Sequence, residues 1–376
     1  MSSNLYTVDG SESLEKLIHD TCCDISKEIA SFIPSEKIQA LALAGGYGRG
    51  EGGVLLTPAG DAPYNDLEFF LFLQGSPRLN ERRFGAAMHQ LEQKMTAKIG
   101  IDVEFKISNL EAFASGQTTM FSYDLVKGHK IFMGLTDALS YCRAHADAAS
   151  IPPHEATRLL MNRCSGLLYA KDRLTNDSFT SADADFCARN IAKAQLAIGD
   201  ALLAIHGNYH WSCRARNQRL NEMNDIPLPM EEIVEFHRTG VAFKLHPHIT
   251  KMGKDELLEL HQKVAEVAWC VFRYVEEKRL RKMMPSPTYY ASSGNKCPET
   301  SAAKNALIRL RSFGLRGWKN GLMFRYPREA LLNTLSLLLW DEKSADQDWL
   351  SQQFVSPIHG WQDAMAAYQK LWSRYN

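Results

Sequence analysis

The sequence of 376 residues lacks the cysteine spacings that mark disulfide-rich or zinc-binding proteins. It has eight cysteines but no CxxC pair, and only Cys22 and Cys23 are neighbours. It also lacks a long apolar run, since the longest one, at residues 335–340, is far too short to span a bilayer. We therefore predict reduced thiols, no membrane partner and a cytoplasmic location.

The sequence also has no net charge. Forty-three basic residues balance forty-three acidic ones, so overall charge indicates neither nucleic acid nor an anionic membrane as an obligatory partner. The first seventeen residues lack the basic and apolar regions of a signal peptide. Hydrophobic content of 45% and charged content of 23% are typical of a globular protein, and the length predicts two or three domains.

The most informative stretch is residues 41–73, where an apolar run leads into a glycine-rich loop. Six of the nine residues at 45–53 are glycine, and a second apolar run then begins with Asp66 and Glu68. Side chains two positions apart on a strand point to the same face, so both carboxylates would reach one spot. A glycine-rich turn presents backbone N–H groups to phosphate, and paired carboxylates bind hard cations. The stretch therefore predicts a site for nucleotide phosphate and metal.

The order of elements predicts an N-terminal α+β domain followed by an all-α region. Helices are expected at 11–32 and 81–98, strands at 38–43, 67–73 and 101–107, and a short helix and strand within 120–134. Later helices are expected at 154–173, 181–206, 228–240 and 254–283. We predict domains at 1–148 and 149–284, a linker or long loop at 285–301, and a helical segment at 302–376.

Other phosphate-binding loops fit less well. Gly48, Gly50 and Gly53 match the GxGxxG pattern of dinucleotide-binding folds, but that fold needs a helix directly after the loop. Pro58 and Pro63 forbid a helix of useful length there. The Walker pattern GxxxxGK[ST] is absent from the sequence. The remaining combination is a glycine loop followed by carboxylates on two later strands.

Four short motifs carry a family resemblance: GG at 45–46, RGE at 49–51, DLE at 66–68 and IDV at 101–103. Weaker similarities are YDL at 123–125, with the strand that ends at Gly134, and the helix around 193–202. In this order and spacing the motifs resemble the DNA polymerase β nucleotidyltransferase superfamily. The specific likeness is to bacterial small nucleotidyltransferases, which include the antibiotic adenylyltransferases. The implied fold is a small mixed sheet with helices.

The resemblance implies roles for the acidic residues. Asp66 and Glu68 would bind two Mg²⁺ ions, with Mn²⁺ as an alternative, and a third carboxylate would help to activate the acceptor hydroxyl. Asp102 matches the family context best, but Glu104 lies two residues on and shares its face. Both are candidate metal ligands, and the choice between them is open. Asp200 is expected to orient or deprotonate the acceptor hydroxyl.

The resemblance also implies a nucleoside triphosphate, with ATP as the expected donor. Gly45 and Gly46 would let the backbone approach the triphosphate, and Lys193 would neutralise its charge. Arg49 is expected either to contact phosphate or to anchor the loop to Glu51. Further candidates for lining the pocket are Tyr209, His210 and Arg216.

The acceptor is left open by the sequence, with a small hydroxylated molecule as the default. The alternative is a macromolecule, tRNA or protein. Residues 304–328 contain seven basic and no acidic residues among aromatics, a composition that suits RNA or the outer face of a helical pair. A third hypothesis is a non-catalytic nucleotide sensor or scaffold.

Overall fold

The computed structural model describes residues 5–318 and 322–376. The strands are β1 (Ile38–Leu43), β2 (Val54–Thr57), β3 (Gly60–Pro63), β4 (Leu67–Leu73), β5 (Val103–Ser108) and β6 (Lys130–Gly134). The helices are α1 (Glu12–Phe32), α2 (Gly45–Gly48), α3 (Pro77–Ile99), α4 (Leu110–Ala114), α5 (Met120–Lys127), α6 (His154–Leu174), α7 (Ser181–Ile205), α8 (Cys213–Asn221), α9 (Met230–Leu245), α10 (Lys254–Leu280), α11 (Pro287–Ser292), α12 (Ala302–Phe313), α13 (Pro327–Trp340), α14 (Gln347–Phe354) and α15 (Trp361–Tyr375). Short 3₁₀ turns are Ser35–Lys37, Ala138–Tyr141, Arg143–His145, Ala148–Ser150, Gly314–Trp318 and Glu342–Ser344.

The chain divides into two compact units, and the division does not follow the predicted domain boundaries. The first unit comprises Met1–Glu155, His206–Asp225 and His237–Ile249. The second comprises Ala156–Ile205, Ile226–Phe236 and Thr250–Asn376. The first unit thus takes in α8 and the end of α9, two segments that the sequence analysis assigned to a separate helical domain at 149–284.

The sheet of the first unit has the strand order β5-β4-β1-β6. β1 pairs antiparallel with β4 and β6, whereas β4 and β5 are parallel and are joined by α3. The predicted mixed α+β class with a small mixed sheet is confirmed. The region after the glycine loop, where Pro58 and Pro63 exclude a helix, forms the hairpin of β2 and β3, with the tight turn at residues 58–59.

The two faces of this sheet carry different side chains. One face packs against α1 and α3 through large apolar residues that include Leu41, Leu71, Phe69 and Leu91. The other face has small side chains on β1 and aromatic side chains on β4, and it packs against residues of α5 and of the 138–142 turn. β4 is almost completely buried because both of its faces are covered. Glu68 is therefore a carboxylate in an otherwise apolar strand.

The free edge of β5 is capped by the helix that precedes it. The backbone N–H of Val103 donates to Thr96 Oγ1 at 3.0 Å, and that of Phe105 donates to Glu92 Oε1 at 2.9 Å. Both acceptors are side chains of α3. These bonds satisfy the edge strand without a further strand and hold β5 in register beside β4.

The second unit consists of helices and connecting segments. Residues 285–301, expected as a linker or long loop, contain α11 and the buried side chains of Tyr290 and Lys296. Tyr290 donates a hydrogen bond to Glu276 on α10 at 2.8 Å, so this segment is part of the packed interior of the unit. In the described parts of the chain, no helix is both long enough and apolar enough to cross a membrane.

Candidate active site of the first unit

The glycine loop lies directly against Glu68. Gly45 has φ +62°, and a Cβ at this position would lie 2.9 Å from Glu68 Oε2. Only glycine adopts this conformation readily and leaves space for the carboxylate. Ala44 N–H, at the end of β1, donates to Glu68 O at 2.8 Å. The structure thus brings the predicted phosphate loop and one predicted metal ligand into contact.

Tyr47 and Asn65 fix the path of the chain between the loop and the carboxylates. The buried Tyr47 hydroxyl donates to Gly53 O at 2.9 Å and accepts from Tyr64 N–H at 2.9 Å. Gly53 N–H donates to Asn65 Oδ1 at 2.7 Å. The glycine at position 52 is required because any Cβ there would overlap the Tyr47 ring. This network closes the β2–β3 hairpin and delivers Asp66 to the start of β4.

The four predicted carboxylates share one face of the parallel pair β4 and β5. Glu68 is directly opposite Glu104 in the register, and Leu67 N–H donates to Asp102 O at 2.9 Å, which places Asp102 beside Asp66. Asp66, Asp102 and Glu104 are exposed, whereas Glu68 is half-buried. All four therefore stand at the same end of the two strands.

The negative charges of this group repel one another. Burial raises the pKa of Glu68, as do the charges of Asp66, Glu104 and Asp124, whereas Arg49 lowers it. Mutual repulsion of this kind is relieved by a bound cation.

Glu104 interacts with both members of the DxE pair. Desolvation raises the pKa of Glu104, and the charges of Asp66, Asp102 and Glu92 raise it further. Glu104 also contributes to the raised pKa of Glu68. Of the two candidates for a third carboxylate, Glu104 is the one directly opposite Glu68, while Asp102 precedes the strand.

No three His, Cys, Asp or Glu side chains converge tightly enough to form a metal-binding group within residues 5–318 and 322–376. The oxygens of the four carboxylates are nonetheless donors of the chemical type that hard divalent cations prefer. Mg²⁺ retains several waters and needs only one or two protein carboxylates beside substrate phosphates.

Arg49 pairs with Asp124 rather than with Glu51. Its Nη1 donates to Asp124 Oδ2 at 3.2 Å, and both side chains are nearly buried. Tyr209 OH donates to the same carboxylate oxygen at 3.3 Å and accepts from Arg216 Nη1 at 2.8 Å. The expectation that Arg49 anchors the loop to Glu51 is wrong. Asp124 lies in the YDL motif.

Arg49 also has a buried donor that remains unused. Its Nε is buried and donates to no acceptor in the described part of the chain. An unsatisfied buried donor costs about 1–3 kcal/mol, so such groups usually meet a ligand or water. This supports the expectation that Arg49 contacts phosphate.

Glu51 anchors the loop to the start of α8. Its carboxylate accepts from Ser212 Oγ at 2.5 Å and from Cys213 N–H at 2.9 Å. Burial alone would raise the pKa of Glu51, but these hydrogen bonds and the charge of Lys244 lower it overall. Glu51, predicted to bind the nucleotide, thus binds the N-terminus of a helix with both carboxylate oxygens.

Lys244 is a cation of this site that the sequence analysis missed. It lies at the end of α9, and its backbone oxygen would be 3.1 Å from a Cβ placed on Gly53. Burial lowers the pKa of Lys244, as do the charges of Arg49 and Arg216, whereas Cys213 and Glu51 raise it. No sequence motif surrounds Lys244, and only the fold brings it to the glycine loop.

The predicted pocket residue His210 lies in the first unit, whereas Lys193, Asp200 and the basic segment belong to the second. Lys193 is exposed on α7, and Asp200 is buried on the same helix, where its charge raises the pKa of Arg163 against the effect of burial. In the basic segment 304–328, Arg309 is buried against the Phe313 ring at 5.1 Å. Lys319, in the same segment, lies outside the described residues.

The chain matches no protein-family model, and a search of curated proteins gives no significant match.

Proposed function

We propose that the first unit is a polymerase-β-like nucleotidyltransferase domain. It would move a nucleoside monophosphate, with ATP as the expected donor, onto a hydroxyl group of an acceptor and release pyrophosphate. The acceptor is proposed to be a small molecule.

The contact between Gly45 and Glu68 is the observation that carries the proposal. A loop whose glycines allow close approach of phosphate abuts a carboxylate of the type that binds Mg²⁺. A nucleotide held by the loop would therefore have its phosphates beside Asp66 and Glu68. This juxtaposition is what nucleotidyl transfer requires, and a hairpin with a purely structural role does not need it.

Asp66 and Glu68 would hold the divalent cations, with Glu104 or Asp102 as the third carboxylate. When bound, two such ions, Mg²⁺ or Mn²⁺, stabilise the attacking and leaving oxygens of an in-line displacement. Glu104, directly opposite Glu68, would be the carboxylate that accepts the proton of the incoming hydroxyl.

Cationic side chains beside the loop would bind the triphosphate. The charges of Arg49 and Arg216 act on Lys244 together with that of Glu51, and Arg49 also pairs with Asp124. The unused Nε of Arg49 and the mutual repulsion of the cations both favour the arrival of an anion. Pyrophosphate, as the leaving group, would be stabilised by the same side chains.

The test is release of pyrophosphate by purified protein incubated with each α-labelled triphosphate, Mg²⁺ and a cell extract as the source of acceptor. We expect one fraction of the extract to become labelled. Asp66→Ala should reduce release at least about 100-fold, because it removes a metal ligand. Asp20→Ala, an exposed aspartate on α1, is the matched control and should leave the rate unchanged.

Equal rates for wild type and Asp66→Ala would contradict the proposal. Nucleotide binding without transfer to any fraction would instead favour the sensor or scaffold. A labelled fraction that is RNA or protein would replace the small-molecule acceptor with a macromolecular one.

A further inference from the structure

A pocket opens beside the carboxylates, on the same face of the sheet. It has a volume of about 230 Å³ and is lined by β4, β5 and the start of α5. A cavity of roughly 150 Å³ is enough for benzene, so this pocket has room for one substituted ring. Glu68 and Glu104 form one end of it.

Two stacked phenylalanines form the other end of the pocket. The rings of Phe70 and Phe121 are stacked with centroids 4.9 Å apart and planes inclined by 30°. Phe70 is buried, but Phe121 is 38% exposed. An exposed ring beside a pocket is a surface on which another flat ring can stack.

Lys106 adds a positive charge to these rings. Its Nζ lies 5.5 Å from the centroid of Phe70 and 5.9 Å from that of Phe121. Glu104 is on the same face of the same strand, two residues from Lys106. Its side chain is exposed, so its ammonium group can leave the rings for a ligand that binds it more strongly.

The register of the two strands sets the spacing of these groups. Glu68 is opposite Glu104, and the next pair on this face is Phe70 opposite Lys106. Two residues of a strand span about 7 Å, so Glu104 and Lys106 are separated by roughly the length of one substituted ring. A ring in the pocket could place one substituent at Glu104 and another at Lys106.

We propose that this pocket binds the acceptor, and that the acceptor is a flat-ringed hydroxyl compound with a negatively charged group. This inference rests on the nucleotidyltransferase activity proposed above. The hydroxyl would lie at Glu104, the ring would stack on Phe121, and the anionic group would contact Lys106. Glu68 has the glycine loop at one side and lines the pocket, so donor and acceptor would meet at its carboxylate.

The anionic group can be a carboxylate or a phosphate, and the probes distinguish the two. Each anionic probe has a neutral partner: 4-hydroxybenzoate is compared with 4-hydroxybenzamide, and adenosine monophosphate with adenosine. Binding is measured by titration calorimetry on the full chain with Mg²⁺ and a non-hydrolysable triphosphate. The triphosphate is titrated separately, so that donor binding is known for every variant.

Lys106→Met keeps most of the apolar stem and removes the charge. It should weaken the preferred anionic probe about tenfold while changing its neutral partner by less than about twofold. Phe121→Ala should weaken both members of the pair about tenfold, because stacking does not depend on charge. The matched controls are Lys127→Met, on α5 but outside the pocket, and Tyr141→Ala, an aromatic with 72% exposure.

Three outcomes would overturn the inference. If both variants weaken the triphosphate analogue and not the ring compounds, the pocket holds the donor base. If wild type binds the analogue but none of the four probes, the acceptor assignment fails while the proposed function stands. If wild type neither binds nor turns over any triphosphate, the proposed function fails, and the acceptor assignment falls with it.

Discussion

Replacing Glu51 by glutamine should loosen the start of α8 without removing any group from the proposed reaction. The Glu51 carboxylate accepts two hydrogen bonds at that helix N-terminus, from Ser212 Oγ and from Cys213 N–H. Glutamine is nearly isosteric but has only one acceptor oxygen. Its amide group would therefore face one of the two donors.

The structure sets the size of the effect. A hydrogen bond to a charged group contributes about 1.5–3 kcal/mol and a neutral one about 0.5–1.5 kcal/mol. Glu51→Gln loses one charged bond and replaces the other with a neutral bond, a total of about 3 kcal/mol. A difference of 1.36 kcal/mol is a factor of ten, so local opening at α8 should become roughly 100-fold more frequent.

Hydrogen–deuterium exchange of the peptide that spans residues 209–221 measures this opening directly. We expect faster exchange at the Cys213 amide in Glu51→Gln, and wild-type exchange in Glu81→Gln, an exposed glutamate on α3. The pKa of Glu51 is lowered in the folded protein, so its stabilising effect is complete above the unfolded pKa of about 4.3 and is lost as the pH falls through the folded pKa. The difference in exchange rate between Glu51→Gln and wild type should therefore shrink as the pH falls.

The anchoring role would be refuted by unchanged exchange together with lost triphosphate binding. In that case Glu51 would contact the nucleotide, as the family resemblance implies, and its bonds to α8 would contribute little.

Three further predictions concern the site. Glu68→Gln should stabilise the metal-free protein at pH 8, because the folded pKa of Glu68 is raised and its ionised form is repelled. The gain in the free energy of unfolding, measured by urea denaturation, should fall as the pH drops toward the unfolded pKa of about 4.3. A gain that grows at low pH would contradict this. Gly45→Ala should lower the free energy of unfolding by about 1–3 kcal/mol and abolish most of the activity. Gly75 has φ +88° and open space around it, so Gly75→Ala should cost similar stability and leave turnover intact. Equal activities of the two variants would exclude the contact with Glu68 as the cause. Lys244→Met should raise the Kd for triphosphate about tenfold without destabilising the fold, because burial disfavours the charged amine and Arg49 repels it. Unchanged affinity in a titration with Mg²⁺ would remove Lys244 from the phosphate site.

Local patterns determined most of the elements of the first unit. The predicted strands form at the apolar runs 38–43 and 67–73, and the predicted helix forms at the amphipathic stretch 11–32. The periodicity of apolar side chains is enough to predict whether one face of an element or both faces are buried. Element ends were less predictable. α3 begins at Pro77, four residues before the expected start. Proline is favoured in the first helical turn, but the apolar pattern does not mark that turn. α8 was missed because CRARNQRLN has almost no apolar residues to show a period.

The carboxylates on one face of β4 could also be read from the sequence, because two-residue spacing fixes the side of a strand. The residues that lie opposite them in the fold could not be read from the sequence. The pairing of Glu68 with Glu104 depends on the parallel register of β4 and β5, and that of Arg49 with Asp124 spans 75 residues of chain. Lys244 reaches the glycine loop only because the end of α9 packs within the first unit. Spacing along the chain records which residues share a face, whereas contacts between distant segments, and thus the electrostatics of the site, are decided by tertiary packing.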